Sequence, residues 1–151
     1  MPDALRAATL LAFDYGAQRT GIAVGQTVTN SARALTTLTA VDGEPDWRTI
    51  EHLIDEWRPD VLLVGLPVSD DGTETAQCDA ARAFATQLTH FGPPVQLIDE
   101  HLTSNEASSR LREARASGAR KRQVKKGDID AVSAVIIAEQ WLMQRDVQQL
   151  G

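Results

Sequence analysis

The spacing of apolar residues changes several times along the chain, and each change marks a predicted element. Residues 8–15 (Ala-Thr-Leu-Leu-Ala-Phe-Asp-Tyr) read as a buried strand that ends in a carboxylate. Gly16 interrupts it, and 20–24 (Thr-Gly-Ile-Ala-Val) reads as a second strand after a tight turn, so the two form a hairpin. A third short strand is expected around Ala34–Leu38. The period then lengthens: Trp47, Ile50, Leu53, Ile54 and Trp57 recur in steps of three and four, the signature of an amphipathic helix, which Pro59 stops. Val-Leu-Leu-Val-Gly-Leu (61–66) is continuously apolar, as suits a strand buried on both faces.

A turn-rich loop, Ser69-Asp70-Asp71-Gly72-Thr73, leads to a second helix carrying Ala81, Phe84, Ala85, Leu88 and Phe91 on one face, closed by Gly92-Pro93-Pro94. Val95–Asp99 makes a fifth strand, with Glu100 directly after it. Thr103-Ser104-Asn105-Glu106 is a capping-box pattern that opens a third helix. Residues 117–127 read as a basic loop, and a last helix is expected from about Asp128, as N-cap, to Gln144. The order β-β-β-α-β-α-β-α-α predicts an α/β fold. Three meandering strands and two strands alternating with helices form one mixed five-stranded sheet flanked by helices. No repeat, linker or low-complexity tract divides the 151 residues, so one domain with its core at about 8–144 is expected.

Composition narrows the functional classes. Cys78 is the single cysteine, which excludes an intrachain disulfide and a cysteine-rich zinc site. The opening residues lack the apolar core of a signal peptide, and no run approaches the ~20 residues of a spanning helix. A cytoplasmic protein with no membrane association is the expectation. The net charge of -6 hides a strong asymmetry. Segment 110–126 holds Arg110, Arg112, Arg115, Arg120, Lys121, Arg122, Lys125 and Lys126 with one acid, a local +7 that leaves -13 for the remainder. Such a patch on an acidic body can hold a phosphate backbone. The first three arginines also fit the wet face of a helix; Arg120, Lys121, Arg122, Lys125 and Lys126 lie just before Asp130 and are assigned to nucleic-acid binding.

Three acidic positions carry the candidate chemistry: Asp14 at the end of the first strand, Asp99-Glu100 at the end of the fifth, and Asp130 in the first turn of the last helix. Ligand sites in open sheets gather at the carboxyl ends of strands. Carboxylate oxygens are the hard donors that Mg2+ or Mn2+ prefers, and two such ions about 4 Å apart suit phosphodiester hydrolysis. Each acid has a plainer reading as well: Asp14 as a turn former, Asp99-Glu100 as solvated strand-end acids, Asp130 as a partner of the helix dipole. Gly16-Ala17-Gln18-Arg19-Thr20-Gly21 could approach a phosphate or be simple hairpin geometry, and Arg19 is a candidate phosphate contact. Gly65-Leu66-Pro67 is a second glycine-bearing strand end. His52, His90 and His101 share no metal spacing; only His101, beside Glu100, is a candidate proton or phosphate partner.

Taken in order, several motifs resemble the YqgF family, also called RuvX, of pre-16S rRNA nucleases and Holliday-junction resolvase-like proteins. They are Phe13-Asp14-Tyr15-Gly16, the run Arg19–Gly25, Val64–Pro67, Asp71-Gly72-Thr73, Asp99-Glu100 with Leu102-Thr103-Ser104 and Glu106-Ala107, and Asp130–Ala134. The likeness spans roughly Leu10 to Trp141. It implies an RNase H-like fold and a Mg2+- or Mn2+-dependent nuclease acting at the 5′ end of precursor small-subunit rRNA, with the ribosome precursor as partner. It also implies that Asp14, Glu100 and Asp130 are the catalytic, metal-holding acids, with Asp99 as a neighbour. His101 stands where the family commonly has Arg, and Gln18 where it commonly has Lys; both weaken local phosphate contact and leave the acids in place. Three other functions stay open on the sequence. The first is a dimeric resolvase of branched DNA with the same chemistry. The second is an actin-like ATPase module, suggested by the Asp-Tyr-Gly hairpin. The third is a noncatalytic nucleic-acid-binding protein. Monomer and homodimer are both compatible with the chain.

Overall fold

The computed structural model describes residues 8–67, 76–99 and 126–150, the last segment with side chains from 131 to 144. Five strands form one sheet: β1 (Thr9–Tyr15), β2 (Arg19–Gln26), β3 (Ser31–Thr39), β4 (Val61–Leu66) and β5 (Val95–Asp99). Their order is β3-β2-β1-β4-β5. The first three pair antiparallel, while β1–β4 and β4–β5 are parallel. This is the mixed five-stranded sheet expected from the pattern. Helices α1 (Trp47–Trp57), α2 (Ala76–Leu88), a 3-10 turn (Thr89–Phe91) and α3 (Lys126–Leu150) complete the described elements.

The two-residue period of a strand sends successive side chains to opposite faces, and two cores result. Leu11, Phe13, Ile22, Leu62 and Val64 pack with Ile50, Leu53, Ile54, Ala81, Phe84 and Leu88 of α1 and α2. Leu10, Ala12, Ala23, Leu63 and Ile98 pack with Ala134, Ile137, Ala138 and Leu142 of α3. The second face is built from small residues where α3 crosses it. Gly25 belongs to it too: a Cβ there would lie 3.1 Å from the Leu10 side chain. Trp141 locks the crossing by donating its indole N–H to Gln96 Oε1 of β5 at 3.0 Å.

The first core contains an aromatic stack. The Phe84 ring lies 4.8 Å from Tyr15 and 5.3 Å from Trp47, both stacked, and 5.6 Å edge-on from Phe13. Helix α1 begins at Asp46, whose side chain accepts from the Thr49 N–H and hydroxyl, and ends on Arg58 in the left-handed region (φ 47°) before Pro59. Asp60 then clamps the base of the parallel pair: its N–H donates to Thr9 O at 2.7 Å and its Oδ2 accepts from Thr9 N–H at 2.9 Å.

Three expectations are corrected. Strand β3 runs Ser31–Thr39 rather than Ala34–Leu38, because backbone pairing with β2 recruits residues whose side chains show no alternation. The last helix begins at Lys126, so Asp128 lies inside it and does not cap it, and Lys126-Gly127 belong to the helix and not to a loop. It also continues past Gln144 to Leu150, since no Pro or Gly interrupts 145–150. The loop Ser69–Thr73, the capping box Thr103–Glu106 with its helix, and the basic loop up to Lys125 lie outside the described residues.

Candidate active site

Asp14 is the penultimate residue of β1, half-buried, at the carboxyl end of a strand flanked by β2 and β4. It follows Leu10 and Ala12 in the two-residue alternation, so it lies on the face that α3 covers. Directly opposite on β2 stands Gly21, which brings no side chain to that face. No β2 side chain therefore stands directly opposite the carboxylate. On the other face Tyr15 is stacked against Phe84, which pins the strand end carrying Asp14.

The Asp14–Gly21 segment is a tight hairpin, with Tyr15 opposite Thr20. Gly16 is sterically required there: a Cβ would sit 2.7 Å from the Arg19 carbonyl oxygen. The Ala40 N–H donates to Gln18 O at 2.9 Å and ties the hairpin tip to the end of β3. Arg19 is half-buried and, two residues before Gly21, shares the face of Asp14. The diagonal spacing of such a pair is about 7–8 Å, within reach of an arginine side chain. The hairpin thus presents one acid and one cation on the same face at one end of the sheet.

Asp99 closes β5 opposite Leu66 of β4. Two strand spacings separate it from β1, roughly 10 Å. It alternates with Ile98, which packs in the α3-side core, so Asp99 belongs to the opposite face from Asp14. The sheet brings Asp14 and Asp99 to one end but not to one side. Asp130 lies in the opening turns of α3, one turn before Ala134 and two before Ile137, both of which are buried against the sheet. The side chains of Asp130 and Lys126 are outside those described, as are Glu100, His101, Arg120, Lys121, Arg122 and Lys125 altogether. Among the described residues no three His, Cys, Asp or Glu gather as a metal site.

Several weaker candidates resolve into structure. Cys78 is buried and its thiol donates to Pro67 O at 3.3 Å, so Gly65-Leu66-Pro67 acts as a joint between β4 and α2. His52 is exposed on α1, and His90 is exposed with Nδ1 3.1 Å from Gln87 O. What the sequence did not single out is the support of Asp14: Gly21, read only as the end of a glycine-bounded turn, stands opposite it, and the Tyr15–Phe84–Trp47 stack lies behind it. The register of a hairpin across Gly16 could have found Gly21; no local pattern links residues 15, 47 and 84.

No helix among the described residues is long and apolar enough to cross a membrane. The profile of the RuvX family, described as Holliday junction resolvase, matches residues 8–144. The chain is 48% identical over 138 residues to a protein of Photorhabdus laumondii named "Putative pre-16S rRNA nuclease", covering 91% of this chain and 96% of that one. Proteins of the same name from Yersinia enterocolitica and Pectobacterium atrosepticum are 48% and 47% identical over 134 residues, each covering 88% of this chain and 93% and 94% of theirs. Among solved structures, Thermus thermophilus RuvC in complex with a Holliday junction substrate superposes with a TM-score of 0.57 at 15% identity, covering 93% of this chain and 96% of that one. The yeast mitochondrial Holliday junction resolvase Ydc2 gives 0.53 at 10% identity, covering 93% and 80%. At these identities the likeness is one of fold, the RNase H-like arrangement of the resolvases. With the profile spanning nearly its whole length and relatives close to half identical, the chain belongs to the RuvX family of phosphodiester-cleaving nucleases.

Proposed function

We propose that this chain is a divalent-metal-dependent nuclease that trims the 5′ end of pre-16S rRNA during ribosome assembly in the cytoplasm, one domain carrying the whole activity. The observation that carries the reading is the setting of Asp14: a half-buried carboxylate at a parallel-strand end, with a glycine beside it, on the face crossed by the helix that begins near Asp130. The family resemblance adds to Asp14 the acids Glu100, which follows β5 in the sequence, and Asp130 of α3. Asp14, Glu100 and Asp130 are then the proposed catalytic acids, with Asp99 and His101 supporting them from the neighbouring positions.

The donor chemistry fits a hard cation, since these groups offer only carboxylate oxygens. Mg2+ or Mn2+ held there would supply a nucleophilic water at neutral pH and stabilise the departing oxygen of the phosphodiester. The protein's own part is to hold the acids in place, as the hairpin ladder and the Tyr15 stack do for Asp14, and to bring the polyanion in. Arg19, on the same face, is assigned to the phosphate next to the scissile bond. Arg120, Lys121, Arg122, Lys125 and Lys126 are assigned to the flanking backbone, where clustered cations release counterions and raise affinity.

Precursor rRNA is preferred over branched DNA because the relatives near half identity carry the rRNA nuclease name, while the resolvases share the fold alone. The junction reading remains the second one, and it requires a homodimer for paired nicks, whereas rRNA trimming is open to a monomer. The test compares cleavage of precursor rRNA and of four-way junctions at equal salt, with Mg2+ and with chelator. Metal-dependent cutting of the rRNA, lost in Asp14→Asn while folding and RNA binding persist, is expected. Preferential junction cutting favours the resolvase, and ATP hydrolysis without cutting favours the ATPase module. Full activity of Asp14→Asn dismisses the assigned site.

A further inference from the structure

From Asp14 the register of the sheet runs through Gly21 to the edge strand. Asp14 pairs with Gly21, and Gly21 pairs with Thr37 of β3. In the adjoining row Arg19 pairs with Thr39. These positions share one face, because Arg19 and Gly21 alternate with Ala23, which packs in the core under α3. Gly21 contributes no side chain between the carboxylate and the Thr37 hydroxyl. Thr37 is half-buried, as Asp14 and Arg19 are, and Thr39 is exposed.

The two threonines reach that face only because β3 is irregular. Ala34 pairs with Ala23 and Thr36 with Ile22, so Leu35 is an extra residue in the ladder. Continued without it, the register would set Thr36 opposite Gly21 and Leu38 opposite Arg19, and would turn Thr37 toward α1 and α2. With it, Leu35 and Leu38 pack against the α1–α2 core, and Thr37 and Thr39 stand on the face of Asp14. Bulges gather at sheet edges and beside active sites, where they re-aim side chains in this way. A leucine opposite Arg19 would offer a polyanion no partner, whereas a hydroxyl has one donor and two acceptor positions.

We propose that Thr37 and Thr39 are substrate-contact residues, whose hydroxyls hydrogen-bond the sugar–phosphate backbone of the strand being cut. The inference rests on the reading of the chain as a nuclease and extends its site from Asp14 and Arg19 to the edge strand. Two strand spacings, about 10 Å, separate Asp14 from Thr37. At the 3.4 Å rise of a stacked strand that is about three nucleotide steps, so the contact falls about two to three nucleotides from the scissile bond. Threonine hydroxyls commonly bind phosphate and sugar oxygens and fix the register of the nucleic acid. These contacts are neutral, so the release of counterions falls to Arg19 and the basic segment.

The test is single-turnover cleavage of a precursor rRNA fragment over a range of enzyme concentration and of salt. Thr37→Val and Thr39→Val keep the β-branched shape that a strand favours and remove the hydroxyl. Each is expected to raise the half-saturating concentration about two- to tenfold, the worth of one hydrogen bond. The rate at saturation stays within about twofold, and the log–log salt slope is unchanged because no charge is lost. Thr37→Ser keeps the hydroxyl and the affinity. Thr36→Val, on the same strand but the opposite face, alters neither quantity. A second substrate carries 2′-deoxy sugars about two and three steps from the bond. A Thr37→Val loss that vanishes on it assigns the contact to a 2′-hydroxyl, and one that persists assigns it to a phosphate oxygen; both uphold the proposal. Unchanged half-saturation in both valine variants overturns it, as does an equal loss in Thr36→Val, the mark of a disturbed strand. In both of those cases the unaltered chain still cuts, and the nuclease reading stands. An unaltered chain that neither binds nor cuts the rRNA removes both readings together.

Discussion

Replacing Gly16 by Ala tests whether the hairpin geometry holds the candidate catalytic acid. The added Cβ would sit 2.7 Å from the Arg19 carbonyl oxygen, and ordinary contact needs about 3.4 Å, so the turn must open by about 0.7 Å. The strain has few places to go. Tyr15 is stacked on Phe84, and the hairpin tip is tied to β3 through Gln18 O. The ladder end carrying Asp14 and Arg19 therefore takes the displacement. Overpacking of this kind costs about 1–3 kcal/mol. For a chain of this size that lowers the melting temperature by roughly 3–10 °C. A shift approaching 1 Å in a reacting constellation costs up to about a hundredfold. Single-turnover cleavage of precursor rRNA should accordingly fall ten- to hundredfold, read beside calorimetric melting of the same preparation. Gly43→Ala is the control: its φ of +78° strains any side chain, but nothing lies within 4 Å of the new Cβ. That variant should lose about 1 kcal/mol and no activity. A Gly16→Ala protein that melts within about 1 °C of the original and cuts within twofold refutes the reasoning.

Phe84→Ala removes the hub of the aromatic stack; with the residue only 3% exposed, a loss of about 3–5 kcal/mol is expected, seen as a urea midpoint lowered by roughly 1.5–2.5 M. A loss below about 1.5 kcal/mol would mean the stack carries little of the fold. Asp46→Ala strips both acceptor contacts to Thr49 at the start of α1 and should cost about 1 kcal/mol in the same titration, leaving cleavage untouched because α1 packs on the face away from Asp14. Unchanged stability in that variant would show that the cap bonds are not formed in solution.

Much of the architecture was legible because burial imposes a period. The unbroken apolar run at Val61–Leu66 became an interior strand, and the three- and four-residue steps from Trp47 to Trp57 became α1. Edge strand β3 was only half visible, since one of its sides pairs with nothing in the sheet and a register irregularity beside Ile22 and Ala23 breaks its alternation. The start of α3 was hidden by Gly127, which reads as a loop residue although helix ends absorb such residues at small cost. At the site, Asp14 stood out as an acid ending an apolar strand. Spacing alone left Asp99 and Glu100 as a pair, which only the family resemblance divided; the parity of β5 puts Asp99 on the face away from Asp14.

The central claim is that Asp14 helps hold a divalent ion against a phosphodiester. Crystals of the chain with a cleavage-resistant oligonucleotide and Mn2+ test it most directly through the anomalous signal of the ion. A manganese peak about 2.0–2.2 Å from an Asp14 carboxylate oxygen and in contact with a substrate phosphate is the predicted result. Manganese bound only elsewhere, with Asp14 turned to water or to protein partners alone, would contradict it.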